Sequence, residues 1–151
     1  MILALQTFEI TYKDFDLMEL FDPYKITLLV AGLTGLMMLI QMLIADVAAI
    51  KEKHTPGYPV KPDHASFLFR AARVHANTNE SIAAFILFAF FGVFTASSAL
   101  YLNVFSVIYL VSRIAHMCFY YGDFKLARSI SFPLSLIGLI GMFITGITSW
   151  L

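Results

Sequence analysis

The chain has a single cysteine, Cys118. No intrachain disulfide can form, so packing and hydrogen bonds must hold the fold. Charge is also scarce. Only 13% of the residues are charged, and ten basic residues balance ten acidic ones. That balance excludes the basic footprint of a nucleic-acid-binding domain. There is no H-E-x-x-H and no E-x-x-H, and His54, His64 and His75 have no Cys, Asp or Glu at a recognised ligand spacing. The sequence therefore predicts no metal centre. The opening "MILALQTFEITYKDFDLMELFDPY" lacks the basic start and small-residue cleavage site of a signal peptide. No internal repeat or low-complexity stretch is present.

Apolar residues fill the chain instead. They make up 60% of it, and aromatics 15%. Runs of roughly 18 or more apolar residues read as membrane spans. They lie at Ile26–Ala45, from Ser81 to about Leu102, and at Ser129–Trp150. A fourth run, Val104–Tyr121, is broken by Arg113 and His116. The expected fold is all-α, a bundle of four transmembrane helices in one domain (23–151) behind an N-terminal extension (1–22). Asp22-Pro23 is expected to start the first helix, with Asp22 capping and Pro23 in the first turn. That helix is expected to leave through Asp46 into "KEKHTPGYPVKPDH", and Asp63 to cap a second helix running from His64 to about Ser97. The basic loops 46–63 and 121–128 fall on one side, which the positive-inside rule makes cytoplasmic. Both termini then lie opposite, where the acidic Glu9, Asp14, Asp16, Glu19 and Asp22 fit. Small residues in "GLTGLMML" and "GLIGMFITG" predict close helix contacts.

Two stripes break the apolar pattern. Arg70, Arg73, Asn77 and Glu80 are spaced 3, 4 and 3, within an arc of about 80° on one helix face. His75 and Asn79 point away from it. Tyr109, Arg113, His116 and Tyr120 are spaced 4, 3 and 4, within about 60°. Arg128 and Ser129 follow at the start of the fourth helix, on the same side. An arginine in mid-span costs roughly 2.5–3.5 kcal/mol on insertion scales, so Arg113 needs an anion, with Glu80 or Asp46 as candidates. The stripes could be internal glue alone. However, Arg70, Arg73, Arg113 and Arg128 outnumber Glu80 and Asp46, and a cationic surplus at one membrane face suits an external anionic ligand. Tyr109 reads as a helix-to-helix hydrogen bond and Cys118 as packing. A channel or transporter would need its polar stripe to cross the whole membrane, whereas these groups cluster toward one face.

The stretch "RAARVHANTNESIAAF" resembles the second-helix signature of the MAPEG family, membrane-associated proteins in eicosanoid and glutathione metabolism, with Arg73, Asn77 and Glu80 in the matching places. The segment "IYLVSRIAHMCFYYGDFKLARSISFPL" is similar to the family's third helix and the turn into the fourth, closest to the microsomal glutathione transferase and prostaglandin E synthase branch, through Arg113, His116, Tyr120, Arg128 and Ser129. The resemblance covers roughly Pro23 to Leu151. It implies a homotrimer with glutathione between neighbouring subunits near the cytoplasmic side. Arg73, Asn77, Glu80, Arg113, His116, Tyr120 and Ser129 would bind glutathione, and Arg128 would face its sulfur as the catalytic group. An apolar electrophile would arrive through the lipid. The implied activity is that of a transferase, or a peroxidase or isomerase using the same thiolate. The alternative is a non-catalytic subunit or lipid-binding partner in a larger membrane complex. Where the family often has proline, this chain has Ala84, which removes the reason for a kink in the second helix.

Overall fold

The computed structural model describes residues 17–151, with side chains from Glu19 onward. The acidic positions Glu9, Asp14 and Asp16 lie outside the described residues. All regular structure among the described residues is helical. A short helix, Leu17–Phe21, and a 3-10 turn, Asp22–Tyr24, feed α1, Lys25–Lys51. Then come α2 (Phe67–Phe94), α3 (Ala99–Tyr121) and α4 (Lys125–Trp150). All four long helices are long and apolar enough to cross a membrane.

The helix ends differ from the sequence expectation. Pro23 does sit in a first turn, but Asp22 makes no side-chain cap and instead faces Lys25 at 3.4 Å. The cap comes from across the bundle. Asn103 of α3 accepts hydrogen bonds from the Thr27 backbone N–H (3.0 Å) and hydroxyl (2.8 Å), and its amide donates to the Pro23 carbonyl (2.9 Å). One side chain thus satisfies one of the free N–H groups that a helix start leaves open and ties down the turn before it. At its other end α1 runs through Asp46 to Lys51. The stretch "VAAIK" favours helix, and the chain leaves it at Lys53, where φ is +52° and the N–H groups of Lys53 and His54 donate back to the Ile50 and Ala49 carbonyls. The loop is therefore 52–66 rather than 46–63. Asp63 does not cap α2. Its carboxylate accepts from the Ala65 N–H (2.9 Å), folding a local turn, and Ser66 is the cap, accepting from the Phe69 N–H (3.2 Å). Glu52 accepts from the Ser66 hydroxyl and the Leu68 N–H. A carboxylate at the positive end of a helix is favourable, and this one ties α1 to α2. His64 consequently lies in the loop. At its far end α2 stops at Phe94 rather than Ser97, and Ala96 turns the chain with φ at +48°. It runs unbroken through Ala84.

Packing inverts the soluble pattern. Along α1, Thr27, Thr34, Gln41 and Ala48 recur every seven residues and are buried. Leu29, Leu36, Leu43 and Ile50 recur at the same interval and are exposed. Lipid is as apolar as leucine, so hydrogen bonds and close contact hold such helices together rather than burial of oil. Tyr109 bears out its reading as a link between helices, since its hydroxyl and that of Ser81 are 2.9 Å apart, with its ring stacked on Phe85 at 4.7 Å. Cys118 is exposed on the outside of α3, so it is not the packing residue expected.

The glycines of the last helix also fit their reading. Gly138, Gly141 and Gly146 are buried in α4, facing Phe105 and Tyr109 or Phe91. A methyl group on Gly138 would lie 2.9 Å from both the Phe105 carbonyl and the Tyr109 nitrogen, which are backbone atoms of a helix and cannot swing aside. Gly138→Ala is therefore expected to force α3 from α4 and destabilise the fold by about 1–3 kcal/mol, measured by detergent unfolding. Gly35→Ala, where the added methyl meets nothing within 4 Å, serves as the control.

Candidate functional site

The 52–66 loop and the α3–α4 turn meet at one end of the bundle. Arg70 joins them. Its Nη1 donates to the carbonyls of His64 (2.6 Å) and Ala65 (3.0 Å), and its Nη2 reaches the Tyr121 carbonyl at 3.5 Å. Arg70 thus serves the loop rather than the stripe in which the sequence placed it.

Arg113 is the centre of the arrangement. It is 1% exposed, yet neither Glu80 nor Asp46 pairs with it. Its Nη1 donates to Asn77 Oδ1 (2.9 Å) and its Nη2 to the Thr78 hydroxyl (2.9 Å). Nε has no partner. Among the described residues no carboxylate lies within ion-pair distance of this guanidinium. Asn77 passes the interaction on. With its oxygen held by Arg113, its Nδ2 faces Glu80 Oε2 at 3.4 Å. Cation and anion are thereby bridged by an amide and stay apart. The bridge fixes Asn77 in one rotamer and one flip state, and it leaves Glu80 exposed with its charge uncancelled.

The second group gathers one or two turns nearer the loops. His116 is 4% exposed, with its ring 5.3 Å from Tyr120 and 6.1 Å from Phe132. Tyr120 carries the Arg128 guanidinium on its face, 4.6 Å from the ring centroid. Such stacking holds a cation without neutralising it. Arg128 Nη1 also lies 3.7 Å from the Asp123 carboxylate and 3.3 Å from His64 Nδ1. Asp123 reaches this place from a turn where its φ is +56°, a conformation that Asp tolerates better than most residues.

The residues picked from sequence thus fall mainly into two groups. Arg113, Asn77 and Glu80 form a chain of contacts, and His116, Tyr120 and Arg128 a second. Arg73 and Ser129 are exposed, and the Ser129 hydroxyl is turned back on the Lys125 carbonyl (3.0 Å). Thr78, His64 and Asp123 were not foreseen. Thr78 could have been found, since it is the stripe's neighbour one step round the helix from Asn77. His64 carried no signal, because only the folded loop brings it to Arg128. The polar interior also extends further than the sequence suggested. Asn103, Ser106 and Thr27 continue it to the other end of α3, closed by mutual hydrogen bonds.

No curated protein matches the chain. A family model does, over residues 27–148, which takes in all four long helices and every site residue above. Four helices of membrane-spanning length, the Arg73–Asn77–Glu80 face and the Arg113–His116–Tyr120 face that continues to Arg128 are all inside that match, and the chain belongs to the MAPEG family.

Proposed function

We propose that the protein is a membrane-bound glutathione-dependent transferase in which Arg128 stabilises the glutathione thiolate for attack on an apolar electrophile. The family covers membrane glutathione-related enzymes, and the charge pattern suits this ligand. Glutathione has two carboxylates, one ammonium and a thiol. The site has Arg73 and Arg113 for carboxylates, Glu80 for the ammonium and Arg128 for the sulfur. Asn77, His116, Tyr120 and Ser129 supply neutral hydrogen bonds. Bidentate guanidinium–carboxylate contacts are among the stronger polar interactions available. A guanidinium beside a thiol favours the thiolate, which is the nucleophile.

The observation that carries this reading is the Arg73–Asn77–Glu80 face, where Arg73 and Glu80 are exposed and Asn77 half-buried. Glu80 is the fourteenth residue of a 28-residue helix, about 20 Å from its start. Bare lipid is a costly neighbour for a carboxylate there. A second copy of the chain and a charged ligand would cover it, and a homotrimer with glutathione between subunits does both. The loop end carries Lys51, Lys53, Lys61, Lys125 and Arg128, and by the positive-inside rule these basic residues support a cytoplasmic location for it. The chain purified in lipid is expected to release chloride from a chlorinated nitroarene only when glutathione is present. A folded assembly that binds glutathione but conjugates nothing would support a non-catalytic subunit instead.

A further inference from the structure

We propose that His64 is a positioning residue for Arg128: a neutral acceptor carried in by the α1–α2 loop that fixes the guanidinium at the place where the glutathione sulfur is to sit. The inference rests on the glutathione reading above.

An arginine in the first turn of a helix has a long side chain with many rotamers. This one has three neighbours from three different elements. Tyr120 of α3 lies under its plane, Asp123 of the α3–α4 turn stands at 3.7 Å, and His64 Nδ1 at 3.3 Å. Both edge contacts are made by Nη1. Nε and Nη2 have no hydrogen-bond partner among the described residues. The seat therefore grips one edge of the fork and leaves the other for a ligand.

The loop is built to hold the histidine there. Arg70 clamps the His64 and Ala65 carbonyls, Asp63 closes the turn before them, and the ring of His64 packs edge-on against Phe69 at 5.0 Å. The residue is nevertheless exposed, so burial does not explain its placement. Chemistry does. A carboxylate in this position would hold Arg128 but cancel its charge, and Asp123 already offsets part of it. A neutral imidazole accepts an N–H through Nδ1 and leaves the guanidinium positive. A thiolate needs that positive charge.

The test compares wild type with His64→Ala, His64→Asn and His64→Asp in lipid. Each is measured for glutathione affinity, thiolate absorbance and conjugation turnover. His64→Ala is expected to bind glutathione within about twofold of wild type, while the thiolate fraction at neutral pH and kcat fall, kcat by roughly ten- to a hundredfold as a misplaced group does. His64→Asn, whose Oδ1 falls near the Nδ1 position, should restore both. His64→Asp should keep affinity but not restore the thiolate, because it holds the guanidinium and neutralises it. A thiolate signal and kcat unchanged in His64→Ala would overturn the inference alone. So would losses that neither Asn nor Asp distinguishes, which would mark a merely structural loop residue. Absence of any thiolate signal in wild type would overturn the glutathione reading, and this inference with it.

Discussion

Arg128→Ala is expected to lower turnover with glutathione by about 10²–10³-fold, the usual loss when one preorganised donor to a developing or resident anion is removed. Affinity for glutathione should change much less. The groups assigned to its carboxylates and ammonium, Arg73, Arg113 and Glu80, make no hydrogen bond or ion pair with Arg128. The loss should therefore appear in kcat rather than KM. A thiolate titration gives the sign independently. A free thiol ionises near pH 8.5, and a bound one beside a guanidinium ionises lower. Removing Arg128 should return the bound thiol toward the free value. Arg128→Lys should recover only part, since an ammonium carries the charge but not the flat fork that rests on Tyr120 and reaches His64 at one edge.

The second large effect is expected at Arg113, and it should fall on binding. Two opposing costs decide what Arg113→Met does to the fold. The substitution removes a buried guanidinium whose insertion costs roughly 2.5–3.5 kcal/mol. It also removes two charge-assisted hydrogen bonds, to Asn77 and Thr78, each contributing about 1.5–3 kcal/mol. The lost bonds together outweigh that relief by roughly 1–2 kcal/mol, so the variant is expected to fold and assemble with a melting temperature a few degrees below wild type. Asn77 loses its anchor, and the amide that bridges to Glu80 is free to turn. Glutathione affinity should then drop by about 2 kcal/mol, some thirtyfold in Kd, by calorimetry. Arg113→Lys should not rescue it. One ammonium is a compact donor and does not reproduce the fork that spans two acceptors on adjacent residues.

The sequence made some of this legible and hid the rest for physical reasons. The four spans were readable because length alone separates a membrane helix from a core helix. The two stripes were readable because Arg73, Asn77 and Glu80, and Arg113, His116 and Tyr120, obey the helical period with no help from tertiary structure. Nothing local marks Asn103 as the cap of α1, because the groups it serves, Pro23 and Thr27, are 76 to 80 positions away. Asp22 was the locally correct choice, and tertiary geometry replaced it. A charge after an apolar run resembles a loop, which is why the sequence points to Asp46 as the end of α1, but an aspartate on an exposed helix face breaks nothing. The pairing of Arg113 escapes the sequence for a related reason. Charge balance pointed to a carboxylate, while the fold provides an amide and a hydroxyl and keeps Glu80 apart. Separate charges suit the glutathione reading proposed above, since that ligand carries both carboxylates and an ammonium.

The most direct test of that claim is a glutathione titration of the protein assembled in lipid nanodiscs, followed by thiolate absorbance at neutral pH. The arrangement of Arg73, Asn77, Glu80, Arg113 and Arg128 predicts a saturable thiolate signal that is lost in Arg128→Ala and weakened in affinity in Arg113→Met. A folded assembly that gives no saturable signal, or one that Arg128→Ala leaves intact, would contradict it.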